Sequence, residues 1–281
     1  MLRIAVPNKG TLSEAATTML VEAGYRQRRV TKDLTADDTA NGVQFFYLRP
    51  RDIATYVASG DLDLGITGQD LLVDSGVAAD QLLELGFGAS TFRYAAAPGT
   101  VAEVDDLAGK RIATSFPGIV RRDLDRRGLS ARVVTLDGAV ENAVGLGVAD
   151  AVADVVETGA TLRQAGLEVF GPPIMTSQAV LIRRADGGPS AADRQVLRRL
   201  RGVLVARRYV MLAYDVRAEA LDRAIALTPG IESPTVSPLH REGWVAVQSL
   251  TPRAEVHRIM DELDEVGAKG ILVTNIHACR I

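Results

Sequence analysis

Cysteine and histidine are almost absent from this chain. Its 281 residues include one cysteine, Cys279, so there is no disulfide framework. The three histidines, His240, His257 and His277, all lie in the last quarter, and neither His nor Cys occurs before them. Most of the chain therefore lacks a Ser–His–Asp triad, a cysteine nucleophile and a zinc held by His or Cys. Aromatics make up 5%, too few for a base-stacking platform, and a net charge of −3 leaves no basic surface for nucleic acid. No apolar run approaches the roughly 20 residues of a membrane helix. Met1-Leu2-Arg3-Ile4-Ala5-Val6-Pro7 enters a strand directly, without the basic start and long apolar core of a signal peptide. The expectation is a cytoplasmic protein with no nucleic-acid and no membrane partner. Carboxylates, lysines, arginines and backbone amides remain for chemistry, and these suit binding polyanions and displacing pyrophosphate. A hydrophobic content of 47% and a charged content of 24% are those of a globular protein. The length allows two or three domains of about 100 residues each.

The stretch Glu141 to Leu162 organises the reading. A short helical pattern, Ala139 to Leu146, is closed by Gly147. The apolar run Ala151 to Val156 has strand length and β-branched character, with one carboxylate, Asp154, inside it. Thr158-Gly159-Ala160-Thr161 is a small-residue turn, and a helix starts at Leu162. Strand, tight loop and helix aim backbone N–H groups at one point, which attracts an anion. Taken alone, such a turn also reads as a plain strand-to-helix connection with a capping Thr. Asp154 shifts the balance, because a charge in an apolar strand is costly unless it is paired or functional. The combination reads as a ribose-5-phosphate site: Asp154 for two sugar hydroxyls, the loop for the phosphate.

Other strand ends carry further candidates. After the strand at residues 2–6, Pro7-Asn8-Lys9-Gly10 turns into a helix at Thr11, which makes Lys9 a phosphate ligand or a solvated lysine. Residues 26–42 read as a surface hairpin or loop. The strand Gln44 to Leu48 is stopped by Arg49-Pro50, and a guanidinium there suits bidentate grip on pyrophosphate. The strand Leu62 to Thr67 leads to Gly68-Gln69-Asp70, where Asp70 is either a ligand-binding group or a partner of the helix dipole. A second α/β segment has strands at 92–97, 111–114 and 132–136, with Ser115-Phe116-Pro117-Gly118 as a loop. One more strand, Gln178 to Arg183, crosses back. Two α/β lobes joined by crossings near residues 88–92 and 176–180 resemble the type II periplasmic-binding-protein fold. The predicted division is lobe I at 1–90 with 179–207, lobe II at 91–178, and a third domain at 208–281. That last segment follows a β-α-β-β-α-β pattern, a ferredoxin-like (ACT/PII-like) module of the kind used for regulation.

The spacing of Glu141, Gly147, Ala149, Val152, Asp154, Thr158-Gly159 and Thr161-Leu162 resembles the signature of the ATP phosphoribosyltransferase family. The likeness extends over the chain through L-R-I-A-V-P-N-K-G, L-R-P at 48–50, D-L-G-I-T-G at 63–68 and R-I-A-T-S at 111–115. It implies transfer of phosphoribosyl from phosphoribosyl diphosphate to N1 of ATP, the first step of histidine biosynthesis, with Mg²⁺ and release of pyrophosphate. By that resemblance Asp154 reads the ribose hydroxyls and Glu157, Thr158, Gly159, Ala160 and Thr161 hold the 5-phosphate. Lys9 and Arg49 meet phosphates, and Asp70, Leu71 and Phe116 lie on the nucleotide side. The third domain resembles the long form, inhibited by histidine, with Ser233 and Thr235 at the histidine site and Asp215 and Gly270 nearby. Dimers and hexamers are the implied assemblies. No metal ligand is assigned. The rival reading from the residues is a two-lobed anion- or solute-binding protein without catalysis.

Overall fold

The structure is a computed structural model that describes residues 1–26, 34–156, 158–185, 187–188 and 190–280. Contacts divide the chain into two compact units, Met1–Val21 with Tyr25–Asp193 and Glu22–Gly24 with Arg194–Ile281. The first unit runs β1 (Leu2–Pro7), α1 (Thr11–Glu22), β2 (Thr35–Asp38), β3 (Val43–Leu48), α2 (Pro50–Ser59), β4 (Leu64–Gly68), α3 (Gln69–Ser75) and β5 (Ala79–Glu84). It continues with β6 (Ser90–Ala96), β7 (Arg111–Thr114), α4 (Pro117–Arg127), β8 (Arg132–Thr135), α5 (Asn142–Gly145), β9 (Ala151–Val156), α6 (Ala160–Gln164), β10 (Glu168–Ser177) and β11 (Ala179–Arg184).

These strands form two sheets. One has the order β2-β3-β1-β4-β11-β5 and the other β10-β6-β9-β7-β8. Leaving out the hairpin strand β2, both repeat one plan: second strand, first, third, the strand arriving from the other lobe, then the fourth. That is the two-lobed type II periplasmic-binding-protein arrangement. The chain changes lobe between β5 and β6 and again between β10 and β11. β3, β1 and β4 run parallel, so their C-terminal ends share one edge, as do those of β8, β7 and β9.

Burial explains the elements. β3 alternates buried Val43, Phe45 and Tyr47 with half-buried residues, as a strand covered mainly on one side should. Ala5, Ile53, Val57, Val180 and Ile182 form one side of the first lobe's core. In the second lobe Phe92, Tyr94, Phe116 and Leu124 fill one face of the sheet, and Ala95, Val152, Leu162 and Leu167 the other. Each fully buried Leu, Ile or Phe contributes about 1.5–3 kcal/mol.

Three local readings change. The helix expected over 139–146 is only Asn142–Gly145, because Gly138 and Ala139 hold φ of 133° and 48° and cannot start it. The helix after the Thr158 loop begins at Ala160, not Leu162. β5 and β10 have no counterpart in the sequence reading. The segment 26–42 holds one strand, β2, which pairs antiparallel with β3 beyond it, while residues 27–33 lie outside the described residues.

In the second unit, α7 (Ala191–Arg208) leads into β12 (Tyr209–Arg217), α8 (Leu221–Leu227), β13 (Thr235–Pro238), β14 (Trp244–Pro252), α9 (Val256–Val266) and β15 (Lys269–Asn275). The order β13-β14-β12-β15 is fully antiparallel, the ferredoxin-like topology. Leu212, Tyr214 and Val216 face Ala224, Ile259 and Leu263 of the two helices. Among the described residues no helix is long and apolar enough to cross a membrane.

Candidate active site

Parallel strands set the geometry. β3, β1 and β4 lie side by side, so Arg49, Lys9 and Gln69-Asp70 leave neighbouring strand ends, with about 4.8 Å between adjacent strands. Asn8 is tied into this edge by its N–H, which donates to the Leu48 carbonyl at 2.8 Å. Lys9 and Arg49 are both exposed, Arg49 at the extended residue that precedes α2. Pro50 at the first helical position needs no partner for a missing N–H and starts the helix there.

Asp70 is buried at the start of α3. Its Oδ1 accepts the Leu71 N–H at 2.9 Å, and its own N–H donates to Ser177 Oγ at 3.0 Å. Burial pushes its carboxyl above the usual range, against the pull of these hydrogen bonds and of Arg51. Leu71 packs against the second lobe's core beside Phe116. Phe116 is turned inward because its N–H donates to Thr114 Oγ1 at 2.9 Å and Pro117 opens α4 immediately after it. Its ring meets Phe92 edge-on at 5.3 Å.

Opposite stands β9. Asp154 occupies the even positions of that strand with Val152, the face away from Phe92. Its Oδ1 accepts the Val155 N–H at 2.8 Å, which fixes the carboxylate's direction. Burial raises its pKa first, the charges of Glu141 and Asp70 raise it further, and the Val155 N–H and Arg51 pull it down. Asp70 and Arg51 come from the first lobe, so the two lobes present their strand ends to one another here. Glu157 lies outside the described residues. Thr158, Ala160 and Thr161 are exposed, and Gly159 takes φ of 70°, a left-handed turn that only glycine adopts cheaply. A cavity of about 550 Å³ opens at the end of β9, lined by Gln69, Ser90, Thr91, Val156, Ser177 and Gln178.

Arg51 was not a candidate in the sequence, yet among the described residues its charge acts on both Asp154 and Asp70. It pairs with Asp74 at 3.4 Å and lies 4.4 Å over the Phe116 ring. Its place in the first turn of α2 was the available signal, because helical side chains lean back toward the N-terminus and so over the strand end. Among the described residues no group of three or more His, Cys, Asp or Glu is arranged to hold a metal.

In the second unit, Asp215 and Gly270 come together. Gly270 has φ of 58°, and a Cβ there would stand 3.8 Å from Asp215 Oδ2. Thr235 registers with Gln248, and Gln248 with Ala213, so Thr235 shares the sheet face of Asp215 but lies two strands across and two residues along, about 12 Å away. Ser233 is exposed just before β13. One chain therefore does not bring all four residues round a single small ligand.

Comparison with known proteins agrees along the whole chain. A family model described as ATP phosphoribosyltransferase matches residues 49–202, and one described as the C-terminal domain of the same family matches residues 206–278. The ATP phosphoribosyltransferase of Salinispora tropica is 65% identical over 281 residues, covering 100% of both chains. That of Streptomyces coelicolor is 62% identical over 285 residues with the same full coverage. The solved ATP phosphoribosyl transferase (HisG:HisZ) complex from Thermotoga maritima superposes with a TM-score of 0.64 at 28% identity, covering 73% of this chain and 98% of that one. Carboxylates, arginines and a glycine loop at facing strand ends, together with full-length identity of this order, assign the chain to the ATP phosphoribosyltransferase family.

Proposed function

We propose that the cleft between the two strand-end edges binds phosphoribosyl diphosphate on the Asp154 side and ATP on the Asp70 side. The observation that carries this is Asp154: a half-buried carboxylate in an apolar strand, five residues before a left-handed glycine and within range of the Arg51 charge. Asp154 accepts hydrogen bonds from the two ribose hydroxyls. The amides and hydroxyls of Thr158 to Thr161 take the 5-phosphate. Lys9, Arg49 and Arg51 meet the diphosphate, and Leu71 and Phe116 line the nucleotide side.

The lone pair of adenine N1 attacks the anomeric carbon as the bond to diphosphate oxygen breaks, and pyrophosphate leaves with that electron pair. N1 carries no proton, so no general base is required, in keeping with a segment that holds no histidine. The sugar gains oxocarbenium character. Fixed dipoles and charges, already oriented, stabilise that change at little reorganisation cost. Burial raises the carboxyls of Asp70 and Asp154, and Glu141 and Asp70 add negative charge about Asp154, which suits a divalent cation. Asp70 and Asp154 are the carboxylates that would hold Mg²⁺ there, and when bound it would supply charge neutralisation for the leaving group.

We further propose that the second unit binds histidine at Asp215 and Gly270, with Ser233 and Thr235 supplied across a contact between copies. Their separation within one chain favours a site completed by a second copy. The open sheet face there exposes Leu272 at 65%, which supports a homo-oligomer, a dimer or hexamer, built on that face. Histidine then lowers activity by favouring a less active assembly. The test of the catalytic reading is release of pyrophosphate from ATP with phosphoribosyl diphosphate. Wild type should release it and Asp154→Ala should not; equal release from both removes Asp154 from the site.

A further inference from the structure

Helix α4 lacks a cap of its own. Phe116 precedes it without a side-chain hydrogen bond to the helix, and its first turn holds no acidic residue. Pro117 has no N–H, so the first donors left to satisfy are Gly118 and Ile119. Both are met from the other lobe. Asp74, at the far end of α3, accepts the Gly118 N–H on Oδ1 at 2.7 Å and the Ile119 N–H on the same oxygen at 3.2 Å. Its other oxygen pairs with Arg51 at 3.4 Å, and Arg51 lies over Phe116, the residue that opens α4. The Asp74 side chain is 11% exposed, so water competes weakly for these bonds. The backbones also touch. A Cβ on Gly118 would stand 2.2 Å from the Asp74 carbonyl oxygen, a distance no side chain tolerates.

We propose that Asp74 is a positioning residue for the reaction: it clasps the first lobe to the N-terminus of α4 and so holds the cleft closed around Phe116 and Arg51. Covalently the lobes are joined only by the two crossings, residues 85–89 and Gln178. Two-lobed proteins hinged in this way exchange between open and closed forms. A carboxylate on two helix amides and one guanidinium biases that exchange before any substrate arrives. If only a fraction of molecules is closed, apparent affinity falls by that fraction, while turnover of bound substrates is little changed. The clasp therefore acts on KM more than on kcat. The inference rests on placing the chemistry in this cleft, and the experiment separates the two.

Spin labels at Thr55→Cys in α2 and Asp125→Cys in α4, both exposed positions, report the distance between the lobes without substrate in a Cys279→Ser background. Asp74→Ala should shift the distances longer, raise KM for ATP or phosphoribosyl diphosphate on the order of ten-fold, and change kcat by less than about three-fold. Gly118→Ala attacks the same contact from the other lobe and should reproduce both effects. It decides the matter alone if Asp74→Ala does not fold. Asp74→Asn keeps an oxygen for both amides and should restore the wild-type distance. Unchanged distances in both Asp74→Ala and Gly118→Ala overturn the clasp. Longer distances with unchanged KM overturn its role in positioning. If Asp154→Ala keeps full turnover, the cleft assignment fails, but the distance measurement still reports on the clasp.

Discussion

Replacing Asp154 by asparagine should separate activity from stability. In the wild type the carboxylate accepts the Val155 N–H at 2.8 Å, and the amide oxygen of Asn can accept the same bond, so the local fold is kept. Two charge-assisted bonds to ribose hydroxyls are worth about 1.5–3 kcal/mol each, and an amide retains one neutral bond of about 1 kcal/mol. The net loss of about 2–5 kcal/mol corresponds to a fall in kcat/KM of roughly 30- to 5,000-fold. Stability should move the other way. Burial, Glu141 and Asp70 raise the native pKa of Asp154 above its ordinary 3.8, so the folded protein holds this proton more tightly than the unfolded chain. Stability therefore falls as pH rises from 3.8 through the raised native value, and above it ionised Asp154 is a standing cost. Asp154→Asn should be at least as stable as wild type at pH 7, and that advantage should shrink as pH drops through the same window. Steady-state pyrophosphate release and denaturant unfolding at several pH values measure both. A kcat/KM within three-fold of wild type, or a variant less stable at pH 7 by more than about 1 kcal/mol, would refute the reasoning.

Three further outcomes are expected. Gly159→Val places a β-branched residue at φ of 70°, with its Cβ 3.0 Å from Arg163 Nη1, so the loop should lose phosphoribosyl diphosphate binding while ATP binding is largely kept; calorimetry with each substrate alone checks this, and loss of ATP first assigns the loop to the other substrate. Asp215→Ala should leave turnover without histidine near wild type and weaken histidine inhibition by roughly 10- to 150-fold, the worth of one charged hydrogen bond; unchanged inhibition dismisses the site, and no inhibition of wild type dismisses the regulation. Asp150 is held down to about 2 by its hydrogen bonds from Arg111, so its contribution is present above 3.8 and lost as pH falls toward 2; the pair is partly exposed, and Asp150→Asn should cost less than about 1 kcal/mol at pH 7 in urea unfolding, with the difference gone by pH 2.

What the sequence revealed depended on whether a residue's role was local. β1, β9 and β12 are short apolar runs whose burial on the sheet is written in their own composition, and Gly60, Gly128 and Gly267 end helices with left-handed caps as glycine should. β5, A-D-Q-L-L-E, has no alternation and is only half-buried; it is a strand because β11 lies beside it. β10 carries Gly171-Pro172-Pro173 in its middle, which argues against a strand, and it pairs with β6 across a register shift at that point. The Asp154 loop was legible because one segment holds both the charge and the turn. Arg51 was not, since its significance comes from Asp154, Asp74 and Phe116, which are brought to it only by folding. Asp74 escaped for the same reason: as sequence it is an ordinary acidic residue near a helix end.

In the proposed function one segment, Asp154 to Thr161, holds the sugar and phosphate of phosphoribosyl diphosphate. A crystal structure of the protein with phosphoribosyl diphosphate and Mg²⁺ tests it most directly. Both ribose hydroxyls should lie within hydrogen-bond distance of the Asp154 carboxylate, the 5-phosphate on the amides of Gly159 to Thr161, and the diphosphate toward Lys9, Arg49 and Arg51. A 5-phosphate bound elsewhere, with Asp154 facing adenine or solvent, would contradict it.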